Sequence, residues 1–195
     1  MLAAAEALET EVMWSGSPVR QRANLADILT IAAETGRRIS AVLGLCWQDV
    51  LWERGPHGSI RWQAATDKQN REWTAPLSPR ARATLDRIRA ERPGLGAAYL
   101  FPSPIDAAHP TGYERCRHWL LRAEERAGVV KQEGGCFYPY RRAWATARKH
   151  LPLPDVAAAG GWKSTGVLVR HYQQPDDKTM LAVVLGGGVL VERQA

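Results

Sequence analysis

Thr35-Gly36-Arg37-Arg38-Ile39-Ser40-Ala41-Val42-Leu43-Gly44-Leu45-Cys46-Trp47-Gln48-Asp49-Val50 is the stretch on which the reading of this chain turns. Just upstream, Leu25, Ile28, Leu29 and Ala32 recur at helical spacing, with Asn24 placed to cap and Gly36 placed to stop. The sequence therefore predicts an amphipathic helix that ends at Gly36 and a second, short helix that begins near Ser40. Arg37 and Arg38 fall between the two.

Downstream the period changes. Ile60 and Trp62 alternate with polar residues, the polar stretch Asp67 to Arg71 reads as a turn, and Trp73, Ala75 and Leu77 alternate again, which predicts a β-hairpin. Ser78-Pro79 opens a helix carrying Leu85 and Ile88 that halts before Pro93. Thr111 and Glu114 form a capping-box pattern ahead of Cys116, Trp119, Leu120, Ala123 and Ala127, with Gly128 as the stop. Further helical pieces are predicted over Arg141 to His150, Asp155 to Ala159 and Ser164 to Tyr172, followed by a tail helix with Met180, Leu181, Val184 and Leu185 that the glycines from Gly186 terminate. The expected fold class is mainly α with one small antiparallel β-sheet. It has no internal repeat, no βαβ alternation, and neither a GxGxxG nor a GxxxxGK[ST] phosphate loop.

The length of 195 residues, 45% hydrophobic and 24% charged, suits one globular domain. The formal net charge of +6 is unevenly spread: residues 51–150 carry 18 basic against 10 acidic side chains, while the two ends together are slightly acidic. A basic middle suits a polyanion, because each neutralised phosphate releases counterions, although many mildly basic domains are basic for solubility alone. Cys46, Cys116 and Cys136 are odd in number and form no CxxC pair, so neither a disulfide framework nor a zinc site is indicated. No apolar run approaches a membrane span, and the Met1 to Leu8 stretch lacks the form of a signal peptide, so a soluble, cytoplasmic protein with no membrane partner is expected.

Thr35 to Val50 resembles the first arginine box of the tyrosine recombinases, the phage-integrase family. In that family a glycine ends one helix and the arginine two places later points into the active site, which maps Arg38, rather than Arg37, onto the phosphate-binding position. Ala41 stands where the family usually has an acidic residue. Lys68, in the turn of the predicted hairpin and eight residues before the Pro76-Leu77 pair, resembles the family's hairpin lysine. Cys136-Phe137-Tyr138-Pro139-Tyr140-Arg141-Arg142-Ala143-Trp144-Ala145-Thr146 resembles its HxxR box, with Arg141 as the second arginine and Tyr138 where a histidine is usual. Gly160-Gly161-Trp162-Lys163 resembles the Leu-Gly-His/Trp box, and Tyr172, ten residues after Trp162, matches the nucleophile position. Each residue alone has a plainer reading: a surface arginine, a solvated turn lysine, a core tryptophan, a tyrosine packed at a helix end. Five boxes in family order carry the resemblance.

The resemblance implies the catalytic-domain fold of that family over residues 20–185, with residues 1–19 an N-terminal extension and 186–195 a flexible tail. It implies site-specific DNA recombination by strand cleavage and rejoining through a 3′-phosphotyrosine, with double-stranded DNA as partner, a homotetramer on DNA, and no cofactor or metal. Tyr172 would be the nucleophile; Arg38 and Arg141 would clamp the non-bridging oxygens; Lys68 would be the general acid. A guanidinium suits such a clamp because it gives paired charge-assisted hydrogen bonds and keeps its charge at any working pH. A lysine can protonate the departing 5′-oxygen. Tyr138 and Trp162 would complete the phosphate site, the phenol as a hydrogen-bond donor rather than a base, since its reference pKa is near 10. His171, although next to Tyr172, lies about 100° round the helix from it and is left outside the catalytic set. Only about twenty residues precede the Arg38 region's first helix, so the usual preceding DNA-clamping domain is expected to be missing and DNA affinity to be weaker. The alternative reading is a truncated or degenerate integrase remnant that binds DNA without recombining it.

Overall fold

The computed structural model describes residues 3, 5, 24–66, 71–130 and 135–186. Among them are eight α-helices and one three-stranded sheet. Helix α1, Leu25–Thr35, ends where the sequence predicts: Gly36 takes a left-handed φ of 64° and returns its N–H to the Ala32 carbonyl. The helix is less amphipathic than its spacing suggested, because Leu25, Ala26, Asp27, Ile28, Leu29, Thr30 and Ile31 are all buried. Neighbours on several sides account for this: α1 packs against α2 (Ile39–Leu43), α3 (Pro79–Glu91), α4 (Tyr113–Arg126) and α5 (Tyr138–Ala147). Asn24 precedes the helix but its side chain does not cap it; its Oδ1 accepts from Arg92 instead, at 2.6 Å. The buried Asp27 carboxylate is held by Arg87 and Arg92.

The predicted hairpin is present as β2 (Ser59–Trp62) and β3 (Trp73–Pro76), with Ile60 opposite Ala75 and Trp62 opposite Trp73. A two-residue strand, β1 (Val50–Leu51), pairs antiparallel with β2 and completes the sheet in the order β1-β2-β3. The turn residues 67–70, Lys68 included, lie outside the described residues. So do all but two of residues 1–19 and all but the first of 186–195.

Ser78 caps α3 as expected, its hydroxyl accepting from the Ala81 N–H at 3.1 Å, with Pro79 at the first helical position. The capping box expected at Thr111 does not form. The Thr111 hydroxyl donates to the Pro102 carbonyl at 2.9 Å, Gly112 becomes the cap, and Glu114 pairs with Arg117. A short bridge between Pro102 and Pro110 draws Thr111 inward, where it is buried.

The remaining helices are α6 (Leu153–Gly160), α7 (Thr165–His171) and α8 (Asp177–Gly186). Helix α5 starts three residues earlier than the sequence suggested, at Tyr138, with Pro139 tolerated in its first turn. Two apolar clusters result. The larger joins α1 to α4 and the sheet; the smaller is Trp144, Ala145, Val156, Ala157, Trp162 and Leu168, from α5, α6 and α7 and the α6–α7 turn. Gly36, at the end of α1, abuts the smaller cluster, since a Cβ there would stand 2.4 Å from the Trp144 ring.

Candidate active site

Four of the six site residues read from the sequence, Arg38, Tyr138, Arg141 and Tyr172, line one cavity of about 350 Å³ above the seam. Local structure puts each there. Arg38 is the extended residue that caps α2, directly after the left-handed turn at Gly36, and it is partly exposed. Tyr138 and Arg141 are one turn apart at the start of α5. Tyr172 closes α7, its N–H bonded to the Leu168 carbonyl at 3.0 Å.

Arg141 is the centre of the arrangement. It is 7% exposed, and one terminal nitrogen, Nη1, donates to the Gly36 carbonyl and, at 2.9 Å, to the Gly160 carbonyl. The guanidinium carbon lies 3.9 Å from the Trp162 ring centre and 5.2 Å from that of Tyr172. Burial lowers its pKa to about 10, with the charge of Arg38 adding to the fall and the Tyr172 phenol opposing it, so it remains a cation at neutral pH. Its Nε and Nη2 make no hydrogen bond in good geometry among the described residues. A buried cation with unused donors is costly unless an anion completes it. The site is thus electrostatically primed for an oxyanion.

Trp162 lines a neighbouring cavity of about 310 Å³ rather than the first one. It stacks on Trp144 with centroids 5.8 Å apart and meets the Tyr172 ring edge-on at 4.9 Å. Its indole N–H is buried with no acceptor among the described residues. The left-handed Gly161, φ 71°, and the close approach of Gly160 to the Trp162 ring explain the glycine pair before this residue. The sixth residue, Lys68, lies outside the described residues.

The Tyr138 hydroxyl donates to the His171 carbonyl at 2.6 Å, and its ring stands 5.1 Å from that of Tyr172. The His171 side chain is exposed. Sequence reasoning passed over three residues that shape this site. Arg37 is 6% exposed; its Nε donates to the Ala159 carbonyl at 3.1 Å, and its guanidinium sits 5.0 Å from the Trp62 ring centre, tying the sheet to the end of α6. Thr146 donates to the Tyr172 carbonyl at 3.2 Å, and Lys149 donates to the Gln174 carbonyl at 3.2 Å. Adjacency to Gly36 was the only signal for Arg37; Thr146 meets the Tyr172 carbonyl, and Lys149 the segment after it, only through the packing of α5 and the turn that follows. Among the described residues no cluster of His, Cys, Asp and Glu could hold a metal ion, and no helix is long and apolar enough to cross a membrane.

No curated protein matches the chain in sequence at a significant level. Solved structures do match in fold. The XerH site-specific recombinase bound to palindromic difH substrate, in a post-cleavage complex, is 20% identical with a TM-score of 0.70, covering 94% of this chain and 49% of that one. The XerA recombinase is 15% identical with a TM-score of 0.65, covering 85% and 57%. The Tn1549 transposon integrase in complex with circular intermediate DNA is 14% identical with a TM-score of 0.62, covering 93% and 61%. The chain therefore spans about half to three-fifths of the length of these recombinases. The sequence profile of the phage integrase family matches residues 5–179, nearly the whole chain, and by that match the chain belongs to the phage integrase family of tyrosine recombinases.

Proposed function

We propose that this chain is the strand-cleaving and rejoining domain of a site-specific DNA recombinase. The observation that carries the reading is the convergence of Tyr172, Arg38 and the donor-rich, buried Arg141 on one cavity. In the proposed reaction the Tyr172 phenol gives up its proton to solvent water as its oxygen attacks the scissile phosphorus, and the bond to the 5′-oxygen breaks. The phosphate passes to the tyrosine as a 3′-phosphotyrosyl ester, and the departing 5′-oxygen takes a proton from Lys68. Resealing is the reverse step with a 5′-hydroxyl from another strand, and it needs no energy source because the ester conserves the phosphodiester bond. Arg38 and Arg141 neutralise the charge that gathers on the non-bridging oxygens, a kind of stabilisation whose removal typically costs about 10²- to 10³-fold in rate. Trp162, under the Arg141 guanidinium, offers its unpaired indole N–H to the same phosphate. Duplex DNA is the proposed substrate and a homotetramer on paired sites the proposed assembly.

Incubation with nicked suicide duplexes, followed by denaturing electrophoresis, tests the reading. A covalent protein–DNA band that is absent in Tyr172→Phe and weakened in Arg141→Ala is expected. Salt-sensitive DNA retention with no band would instead favour the binding-only remnant, whose phosphate contacts are lost as salt rises.

A further inference from the structure

Nucleophile positioning in this chain is concentrated on one helix and the turn after it. The segment from His171 to Thr179 is tied to α5 and to the turn that follows it, starting with the Tyr138 hydroxyl on the His171 carbonyl at 2.6 Å. Next, Thr146 Oγ1 donates to the Tyr172 carbonyl at 3.2 Å and accepts from the Gln174 N–H at 3.0 Å. Last, Lys149 Nζ reaches the Gln174 carbonyl, and Thr179 Oγ1 and Asp176 Oδ2 at 2.5 Å each. Helix ends leave their last carbonyls without intrahelical partners, and at the end of α7 side chains of α5 supply donors to two of them, His171 and Tyr172.

A phenol has one proton to donate. That of Tyr138 goes to the backbone immediately before Tyr172, while its ring packs 5.1 Å from the Tyr172 ring with the Arg142 guanidinium 5.8 Å from its centre. We propose that Tyr138 is a positioning residue: by holding the His171 carbonyl it fixes where the Tyr172 phenol stands, and it acts on the reaction through Tyr172 rather than through the phosphate. The proposal rests on Tyr172 as the nucleophile. It gives the residue at the usual histidine position a different duty from the phosphate contact that the resemblance implied. A tyrosine can reach the carbonyl as a donor and fill the space beside the second tyrosine.

Tyr138→Phe removes the hydroxyl and leaves the ring. In the full chain carrying 3-fluorotyrosine at position 172, without DNA, the variant is expected to shift or broaden the residue-172 fluorine resonance while the melting temperature stays within about 2 °C. An unchanged resonance overturns the proposal whether or not the chain cleaves DNA. With nicked duplexes, adduct formation in Tyr138→Phe should slow by about three- to tenfold, the size of one lost neutral hydrogen bond. The slowing should be the same for a phosphate and for both diastereomers of a methylphosphonate at the scissile position. A defect that disappears on one methylphosphonate diastereomer assigns the phenol to the phosphate oxygen and overturns the proposal, as does an unaltered rate. Failure of the parent chain to form any Tyr172-dependent adduct would instead refute the recombinase reading, with the fluorine measurement still deciding what Tyr138 holds.

Discussion

Replacing Gly36 by alanine should be among the most damaging single-methyl changes in this chain. The residue has a left-handed φ of 64°, a conformation that costs an L-residue roughly 1 to 2 kcal/mol. The added Cβ would also stand 2.4 Å from Cδ2 of Trp144, well inside contact distance. The ring has little freedom to retreat: it is stacked on Trp162, the Arg148 guanidinium lies 4.2 Å from its centre, and its Nε1 donates to the Glu34 carbonyl. Overpacking of this kind typically adds about 1 to 3 kcal/mol. The total, about 2 to 5 kcal/mol, should lower the urea midpoint by roughly 1 to 2 M. Gly96→Ala is the matched control, because Gly96 has a φ of 56° but nothing within 4 Å of the added methyl, so it should show the backbone cost alone. Urea titrations followed by tryptophan fluorescence and by far-ultraviolet circular dichroism would give both values. If the two variants lose stability equally, to within about 0.5 kcal/mol, the Trp144 contact does not hold the seam and the reasoning is refuted.

Two other perturbations follow from buried or paired charges. Asp27→Ala strips the buried carboxylate from Arg87 and Arg92 and should cost about 2 to 4 kcal/mol by thermal or urea unfolding, whereas a cost under about 0.5 kcal/mol would make this a solvated pair. Hydrogen bonding from Lys149, then from the Thr179 N–H, lowers the pKa of the half-exposed Asp176 to about 2. A depressed carboxylate pKa contributes stability above the unfolded value and loses it as pH falls through the folded one. Lys149→Met should therefore bring the Asp176 titration, followed by NMR, up towards the ordinary carboxylate value. The stability gap between the two proteins should close as pH falls from about 4 to about 2. An unmoved Asp176 titration would sever Lys149 from the strap that holds Tyr172.

Much of this architecture was legible because its signals are local. Gly36 stops α1, Ser78-Pro79 starts α3, and the alternation from Ile60 to Leu77 marks the hairpin, each through backbone chemistry within a few residues. What was not legible depends on distant partners. Strand β1 is two residues long and exists because β2 offers it a ladder. The expected Thr111 capping box lost to a carbonyl nine residues away in sequence. The apolar stripe of α1 under-reported its burial because Asp27 and Thr30 are enclosed by other elements and, for Asp27, neutralised by arginines. At the site, the resemblance picked out Arg38, Tyr138, Arg141 and Tyr172, which the fold gathers from three separate segments onto one cavity. The direction of the Tyr138 hydroxyl and the inward turn of Arg37 could not be read, since both are set by carbonyls more than thirty residues away.

The most direct test of the central claim is to find which atom of the protein carries the DNA. After reaction with a nicked duplex, nuclease trimming and trypsin digestion should leave a nucleotide on the peptide from His171 to Lys178, with fragmentation placing its 3′-phosphate on the Tyr172 oxygen. A nucleotide on any other residue, Tyr138 included, would contradict the assignment of Tyr172, and no linked peptide from a folded, DNA-bound chain would contradict the strand-cleaving function itself.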